Sequence, residues 1–337
     1  MRLAALVESP DHVCCRYRLR AFQPLLERAG HTLTLLPLPR SVWSRWRLFR
    51  SLCAYDAVIL QRRLLSRSET TLLRRHAQRL LFDFDDALWL RDSQSSKGFE
   101  SRRRRNRFRF IVCSCDAVIG GNSFLSENAA RWAGAQRCTV IPTCVDNARY
   151  PLARHSSPPG SAELVWVGSA STLRGLERAR PILEALGREV PGLKLKLICD
   201  RFLTLQHLPV LPCSWSEATE AADIAAADIG LSWVPDDPWS RGKCGLKVLQ
   251  YLAAGLPVVV NPVGVQTEMV WHGETGFLAS TTEEWVWAMR TLAEDPALRR
   301  QMGTAGRRLV EAHYAVKCGS EKWLRLLRSL EEIRVSA

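Results

Sequence analysis

Residues 242–264 place two lysines and two glycines around a helix start, in a spacing suited to anion binding. Gly242, Lys243, Gly245 and Lys247 surround the start of a helix-forming run, KVLQYLAAG, and a proline-led apolar strand, PVVV, follows it. A helix N-terminus carries free N–H groups and partial positive charge, so lysines there are unfavourable unless an anion lies between them. The pattern predicts a diphosphate site. The alternative is two solvated lysines beside a flexible turn.

A second candidate anion site lies in VWVGSASTLRGLERA, residues 165–179, which predicts a strand, a glycine turn and a helix. Gly168 permits close backbone approach, and Arg174, which we place in the turn, can add a bidentate contact to phosphate. A glycine turn alone is weak evidence, because any strand–helix junction can use one. Together, the two stretches predict helix starts that bind one diphosphate.

Three aspartates follow an apolar strand in LLFDFDDALW, residues 80–89. Ligands in open α/β sheets bind beyond the carboxyl ends of the strands, so Asp83, Asp85 and Asp86 are expected to face such a site. We interpret Asp85 and Asp86 as ligand-binding groups or as a general base. The alternative is that they cap the following helix.

Two more stretches in the first half follow predicted strands. In HVCCRYRLRAFQPLLERAGH, Arg16, Tyr17 and Arg18 are candidates to contact an anionic ligand. In GGNSFLSENA, a glycine turn and Asn122 precede another helix. We expect all four side chains to contribute to ligand binding.

An arginine-rich run, FESRRRRNRFRF, occupies residues 99–110. As a helix it would carry a cationic face with aromatic edges, which suits adsorption on anionic lipid at about 1 kcal/mol per basic residue. A nucleic-acid patch is the rival interpretation, although no recognition motif accompanies it, and a solvated charge run is the third. The membrane interpretation assigns the contact to Arg102, Arg103, Arg104, Arg105, Arg107 and Arg109.

Two α/β domains are expected to position these residues, because 337 residues exceed the usual size of one core. Apolar runs alternate with helical patterns, which predicts parallel sheets covered on both faces. The predicted strands are residues 3–7, 32–36, 57–60, 80–83, 117–119, 139–141, 163–167, 194–198, 229–233 and 257–260. A Ser/Pro/Gly-rich stretch over 153–163 predicts a linker. We therefore place the domains at 1–155 and 156–315, with a C-terminal helix over 316–337 packing on the first.

Charge is distributed unevenly between the two halves. The net charge is +13, and residues 1–150 carry all of it, with 26 basic against 13 acidic residues. This asymmetry suggests that the first half faces something anionic. No apolar run reaches the roughly 18 residues that cross a bilayer. The 11 cysteines lack C-x-x-C spacing and fit reduced thiols in a cytoplasm.

The second half resembles a known family. VLQYLAAGLPVVVNPVG, followed by EMVWHGETGFLA, is similar to the C-terminal signature of retaining GT-B glycosyltransferases of the family 4, or group 1, type. VGSASTLRG is similar to their V-G-R-L-x-x-x-K-G, and VIPTCVDNARY to their V-I-x-N-G-V-D-x-x-x-[FY]. The resemblance covers most of residues 163–316. It implies two Rossmann-like domains with parallel sheets facing a central cleft.

The resemblance also implies which residues bind a nucleotide diphosphate sugar. It places Arg174 on the lysine that contacts the donor diphosphate, and Trp215 and Glu217 in the loop that holds the base. Arg174 and Lys243, with Asp85 and Asp86, are the predicted catalytic residues. The resemblance also implies an acceptor site in the first half, where Asp85 and Asp86 are acceptor-binding groups or a general base. We assign the other acceptor contacts to Arg16, Tyr17, Arg18 and Asn122. The implied donor site comprises Gly168, Ser169, Arg174, Trp215, Glu217, Asp237, Lys243, Gly245, Leu246, Lys247 and Gln250.

Three departures from the family pattern affect this site. The family's two glutamates fall on Gly242 and Gln250. Gln250 can still hydrogen-bond a ribose hydroxyl. Gly242 cannot contact the donor sugar, and Asp236 and Asp237 are candidates to do so instead. The arginine of V-G-R falls on Ser169, and Arg241, Lys243 and Lys247 are candidates to replace its charge. Separately, Asp83-Phe84-Asp85 matches the D-x-D motif that binds a metal in the GT-A fold. That motif does not belong to the GT-B architecture that the resemblance implies.

The sequence as a whole predicts a glycosyltransferase that moves a sugar to an acceptor hydroxyl, with retention and without a metal or cofactor. Its expected partners are a nucleotide-sugar donor, a glycan or lipid-linked acceptor in polysaccharide biosynthesis, and an anionic membrane surface, with no nucleic acid. The expected location is cytoplasmic and peripheral on the inner membrane surface. Two alternatives stay open: a non-catalytic GT-B nucleotide-sugar-binding protein, and a basic nucleic-acid-binding protein.

Overall fold

The computed structural model describes the backbone of residues 1–335 and the side chains through Glu332. The chain divides into two compact units, each built from separate segments of sequence. The first unit contains Met1–Cys144, Asp237–Cys244 and the residues from Val316 onward, and the second contains Val145–Asp236 and Gly245–Ala315.

Strands and helices alternate along the chain. The strands are β1 Arg2–Val7, β2 Thr32–Pro37, β3 Ala57–Gln61, β4 Leu80–Phe84, β5 Ala117–Gly120, β6 Cys138–Val140, β7 Ala162–Val167, β8 Leu193–Cys199, β9 Val210–Ser214, β10 Ile229–Ser232, β11 Val258–Val260 and β12 Gly276–Leu278. The helices are α1 Val13–Arg18, α2 Gln23–Arg28, α3 Val42–Ser51, α4 Arg67–His76, α5 Arg102–Ser114, α6 Ser123–Ala133, α7 Ala170–Glu177, α8 Arg180–Glu189, α9 Glu220–Ala225, α10 Leu246–Ala253, α11 Gln266–Met269, α12 Thr282–Glu294, α13 Pro296–His313 and α14 Val316–Val335. All ten predicted strands are present, and two more, β9 and β12, lie at the edges of the second sheet.

The first unit is a six-stranded parallel sheet in the order β2-β1-β3-β4-β5-β6. Side chains alternate between its faces. Leu3 of β1 packs with Phe22 and with Trp323 of α14, whereas Leu6 packs in the cluster that contains Phe108 of α5. Helices therefore cover both faces, which explains why its central strands are apolar at nearly every position.

The second unit is a parallel sheet in the order β12-β11-β10-β7-β8-β9. Trp166 of β7 packs in a core with Leu186 of α8 and Trp285 of α12. On α10, the Tyr251 hydroxyl accepts a hydrogen bond from Val167 N at 3.0 Å. Pro212 in β9 is tolerated because an edge strand needs fewer ladder hydrogen bonds.

The boundary between the units lies earlier than the linker pattern predicts. Val145 N donates to Tyr314 O at 2.9 Å, and Ala153 N donates to Ala254 O at 2.8 Å. These bonds attach residues 145–155 to the second unit, so the boundary follows Cys144 instead of residue 155.

A short segment of the second half belongs to the first unit, which the sequence did not predict. The segment Asp237–Cys244 connects β10 to α10, yet it packs with the first unit. Asn122 Nδ2 donates to Gly242 O at 3.2 Å and to Lys243 O at 3.0 Å. The two lysines of the opening motif are therefore divided, with Lys243 in the first unit and Lys247 in the second.

Each sheet has one point where the strand order reverses direction. In the first unit the chain passes from β1 to β2 on one side and continues from β3 on the other. In the second unit, β8 and β9 extend from one side of β7, and β10 to β12 extend from the other. Open α/β sheets bind ligands beyond the carboxyl ends of the strands at such switch points. The first candidates for ligand binding are therefore the residues that follow β1 and β3 in the first unit and those that follow β7 and β10 in the second.

Candidate functional site

In the second unit, the predicted anion-binding residues follow the two strands of the switch point. Gly168 comes directly after β7, and Gly245 and Lys247 lie at the start of α10, which follows β10. Lys247 Nζ lies 4.4 Å from the ring centroid of Trp166 in β7. The structure therefore brings the start of α10 beside β7, as the diphosphate prediction requires.

The start of α10 is well suited to bind an anion. Its N-cap, Gly245, has a φ of 64°, and no side chain caps the helix. A Cβ at Gly245 would also approach Met269 Sδ to 2.5 Å, so glycine is needed for both conformation and space. The N–H groups of Leu246 and Lys247 face the helix end, where the partial positive charge and the lysine both favour an anion.

The start of α7 already has a carboxylate partner. The helix begins at Ala170 with Ser169 as N-cap, and Ala170 N donates to Asp200 Oδ1 at 2.7 Å. Arg174 is exposed and lies within the helix, not in the preceding turn as predicted. Because Asp200 occupies one N–H group of α7, the α10 start is the stronger anion site.

Gly168 is required by the packing of its neighbours. A Cβ at this position would lie 2.4 Å from Trp166 Cη2 and 2.6 Å from Thr172 Oγ1. Such contacts force a shift of the turn. The glycine therefore keeps the turn after β7 close to the Trp166 ring and to Thr172.

The predicted nucleoside-binding residues are already engaged in hydrogen bonds. Trp215 is 41% exposed, and its Nε1 donates to Glu220 Oε1 at 2.7 Å, which leaves the ring accessible. Glu217 lies 3.9 Å from Arg149 Nη2. Gln250 is buried, and its Nε2 donates to the Tyr150 hydroxyl at 3.2 Å, so its predicted ribose contact would compete with that bond.

In the first unit, six charged side chains gather near the other switch point. Three cations and three carboxylates form this charge cluster, which comprises Arg18, Arg62, Lys243, Asp83, Asp85 and Asp86. Arg62 follows β3 and the aspartates end or follow β4. Formal charges balance within the cluster.

Arg18 and Asp83 form the buried part of the charge cluster. Arg18 Nε donates to Asp83 Oδ1 and Oδ2 at 3.0 Å each, and Arg18 Nη1 donates to Ile141 O at 3.0 Å. Burial alone would lower the pKa of Arg18, but the charge of Asp83 raises it above its ordinary value. This pairing argues against the acceptor contact predicted for Arg18. Asp83, the first aspartate of the D-x-D motif, is therefore already paired with Arg18.

Arg62 connects the other two aspartates. Its Nη1 donates to Asp85 Oδ1 and its Nη2 to Asp86 Oδ2 at 2.6 Å, while Lys243 Nζ lies 3.3 Å from Asp86 Oδ1. Burial alone would raise the pKa of Asp85, but the charges of Arg62 and Arg18 lower it. A carboxylate with a lowered pKa is a weak base, so the geometry argues against Asp85 as a general base.

Lys243 belongs to the charge cluster, through its ion pair with Asp86. Burial alone would lower the pKa of Lys243, but the charge of Asp86 raises it. Lys243 Nζ also lies 5.5 Å from the ring centroid of Trp239. These contacts argue against the predicted diphosphate role of Lys243.

The other predicted acceptor residues, and Asp237 of the predicted donor site, are buried or hydrogen-bonded to neighbouring backbone. Arg16 and Tyr17 are each 5% exposed in α1. Asn122 Oδ1 accepts from Leu125 N at 2.8 Å at the start of α6, while its Nδ2 holds the segment Asp237–Cys244. Asp237 Oδ1 likewise accepts from Ser240 N at 2.8 Å within that segment. These bonds favour positioning of the segment over ligand contact for Asn122 and Asp237.

Arg62 is the site residue that sequence reasoning missed. It has a φ of 58°, a conformation that is uncommon outside glycine and often found at functional sites. It comes directly after a fully buried strand. The rule that selected Asp85 and Asp86, a polar residue just beyond an apolar strand, would have selected Arg62 as well.

Comparisons with known proteins agree with the fold. Residues 238–309 match the family model described as "Glycosyl transferases group 1". D-inositol 3-phosphate glycosyltransferase of Pseudarthrobacter chlorophenolicus is 29% identical over 241 residues, which cover 63% of this chain and 56% of that protein. The chain thus spans little more than half the length of that relative.

Two solved structures superpose on nearly the whole chain. Sucrose-phosphate synthase of Thermosynechococcus elongatus covers 99% of this chain and 100% of its own, with a TM-score of 0.75 and 17% identity. Anabaena Alr3699/HepE, solved with UDP and glucose, covers 98% of this chain and 100% of its own, with a TM-score of 0.66 and 16% identity. The chain has the GT-B fold, and the predicted fold class is confirmed.

Proposed function

We propose that the protein is a glycosyltransferase that takes a nucleotide diphosphate sugar as donor and an acceptor hydroxyl as second substrate. The observation that carries this proposal is the start of α10, where no side chain caps the helix and Lys247 lies 4.4 Å from the Trp166 ring of β7, the strand that Gly168 follows. The match of residues 238–309 to the group 1 family model supports it. So does the likeness to a structure solved with UDP and glucose.

Cleavage of the donor leaves negative charge on the departing diphosphate. The first N–H groups of α10 and the Lys247 ammonium would stabilise that charge, which is the kind of electrostatic term that usually contributes most to catalysis. Arg174, exposed on α7, would add a second cation. We propose transfer with retention, in which the leaving phosphate assists deprotonation of the acceptor, so that no protein carboxylate acts as nucleophile.

Donor turnover tests this proposal. We expect one series among UDP-, GDP- and ADP-sugars to raise the melting temperature and to release nucleoside diphosphate, and we expect Arg174→Ala to slow the release. Release is measured by a coupled assay on the purified protein. If turnover is the same in Arg174→Ala, Arg174 lies outside the site. If no nucleotide sugar either stabilises the protein or is consumed, the proposal is wrong.

A non-catalytic nucleotide-sugar-binding protein is the second candidate. Gly242 stands where the family has a glutamate near the reacting carbon, which favours this alternative. A nucleotide sugar that stabilises the protein but is never consumed, with any acceptor tested, would support it.

We further propose that the protein works on the cytoplasmic membrane surface with a glycan or lipid-linked acceptor, in polysaccharide biosynthesis. Helices α3, α4 and α5 carry twelve arginines and one acidic residue, Glu69. Trp43 on α3 is 79% exposed, and exposed tryptophan is favoured at membrane interfaces. Within the described part of the chain, no helix has the length and hydrophobicity to cross a membrane.

Only part of the predicted arginine patch faces solvent. Arg104 Nε donates to Leu88 O at 2.9 Å and Arg107 Nη1 to Leu64 O at 3.2 Å, which gives them structural roles. Phe108 belongs to the core. The arginines of α5 that remain exposed are Arg102, Arg103, Arg105 and Arg109.

Replacing these four exposed arginines by serine is expected to weaken binding to vesicles that contain phosphatidylglycerol by about 10²-fold or more, at about 1 kcal/mol per residue. Co-sedimentation of purified protein measures the change. The matched control replaces four exposed arginines of the second unit, Arg188, Arg201, Arg300 and Arg308. Equal loss in both variants, or preference for RNA over vesicles at physiological salt, would overturn the membrane proposal.

A further inference from the structure

Two cations of the charge cluster, Arg62 and Lys243, are more exposed to solvent than its carboxylates. The side chains of Asp85 and Asp86 are 12% and 10% exposed, whereas those of Arg62 and Lys243 are 24% and 39% exposed. We propose that this part of the first unit binds a phosphoryl group carried by the acceptor. This inference rests on the proposed function, because it presupposes an acceptor.

The aspartates have little capacity left for a sugar hydroxyl. Asp85 Oδ1 accepts from Arg62, and both oxygens of Asp86 face cations, Oδ2 toward Arg62 and Oδ1 toward Lys243. An ionised carboxylate can only accept hydrogen bonds, and each of these cation contacts occupies an oxygen that a sugar hydroxyl would otherwise donate to. The aspartates therefore position the two cations, in place of the direct acceptor contact that the sequence predicts for them.

The cations retain donors for a ligand. A guanidinium has five N–H groups and an ammonium three. Within the described chain, Arg62 uses Nη1 toward Asp85 and Cys14 and Nη2 once toward Asp86, and Lys243 contacts one carboxylate. Two N–H groups on each side chain remain. A phosphoryl group, with three acceptor oxygens and a double charge, matches two neighbouring cations.

The site is held in place before any ligand arrives. Arg62 N donates to Asp83 O at 2.9 Å, which ties its left-handed backbone to β4. Asn122 fixes the carbonyl of Lys243 from α6. Cys14 and Arg62 follow β1 and β3, the strands of the switch point, where open sheets bind ligands. Preorganised donors lose less entropy on binding.

Binding of glycerol 1-phosphate, with glycerol as comparison, tests the inference without any donor. We expect saturable binding of glycerol 1-phosphate, measured by ³¹P line broadening at constant ionic strength, and we expect added glycerol not to compete with it. Lys243→Gln is expected to weaken it about tenfold or more, as loss of a charge-assisted contact does. Arg62→Lys keeps a cation and is expected to bind better than Arg62→Gln. Lys194 is exposed on β8 of the second unit, and Lys194→Met is expected to bind as the parent does.

The outcomes separate this inference from the proposed function. Parental binding by Lys243→Gln and Arg62→Gln, or an equal loss in Lys194→Met, would overturn the phosphoryl site, even if sugar transfer occurs. Binding that depends on Arg62 and Lys243 would support the site, even if no nucleotide sugar is consumed. Dihexanoyl phosphatidate distinguishes the source, since tighter binding than glycerol 1-phosphate indicates a lipid phosphate and equal binding indicates a soluble one.

Discussion

Replacing Lys247 by methionine is expected to lower kcat for sugar transfer by about 10²–10³-fold, or about 2.7–4 kcal/mol, the range for removing one group that stabilises developing negative charge. Methionine keeps much of the apolar stem that packs on Trp166, so the fold should persist. Steady-state release of nucleoside diphosphate, with acceptor present, measures the change.

A lysine elsewhere on the same unit provides the control for this loss. Lys194 is exposed on β8, away from the β7–β10 switch point. Lys194→Met should therefore retain the parental kcat. If Lys247→Met also retains it, the leaving diphosphate does not lie at the start of α10.

Replacing Gly242 by glutamate introduces the residue that the group 1 glycosyltransferase pattern has at this position, yet it is expected to destabilise the protein by at least about 3 kcal/mol, through overpacking and burial of an unpaired charge. A Cβ at this position would lie 2.9 Å from both Cβ and N of Ala87 and 3.1 Å from Leu125 Cδ2. Urea denaturation followed by far-UV circular dichroism gives the free energy of unfolding.

Gly175 offers the matched substitution, because a Cβ there meets nothing within 4 Å. Gly175→Glu should leave the free energy of unfolding unchanged or raise it, since glycine is a poor residue within a helix. Parental stability and increased turnover in Gly242→Glu would contradict the placement of the segment Asp237–Cys244 in the first unit.

Local patterns were sufficient to predict most of the fold. Apolar runs of three to five residues located ten strands, because buried parallel strands are apolar on both faces. β12 was missed because it begins with Gly276 and only two apolar residues follow within the strand, and β9 because edge strands are partly polar. The placement of Gly245 and Lys247 at the start of a helix was also predictable from local pattern, since the two residues are neighbours in sequence.

The remaining site residues depend on contacts between distant parts of the chain. Lys243 and Lys247 are four positions apart and seemed equivalent, but α10 begins only at Leu246, and Asn122 holds Lys243 in the other unit. Arg18 resembled a surface cation because its partner, Asp83, lies 65 positions away. The strand order that places Cys14 beside Arg62 also has no local signal.

We expect a nucleotide diphosphate to bind the start of α10 and not the charge cluster. Isothermal titration of UDP, GDP and ADP into the parent, Lys247→Met and Lys243→Met, without acceptor, tests it directly. We predict that the preferred nucleotide binds Lys247→Met at least about tenfold more weakly, as loss of a charged contact implies, and binds Lys243→Met as it binds the parent. Loss of affinity in Lys243→Met with full affinity in Lys247→Met would contradict the claim.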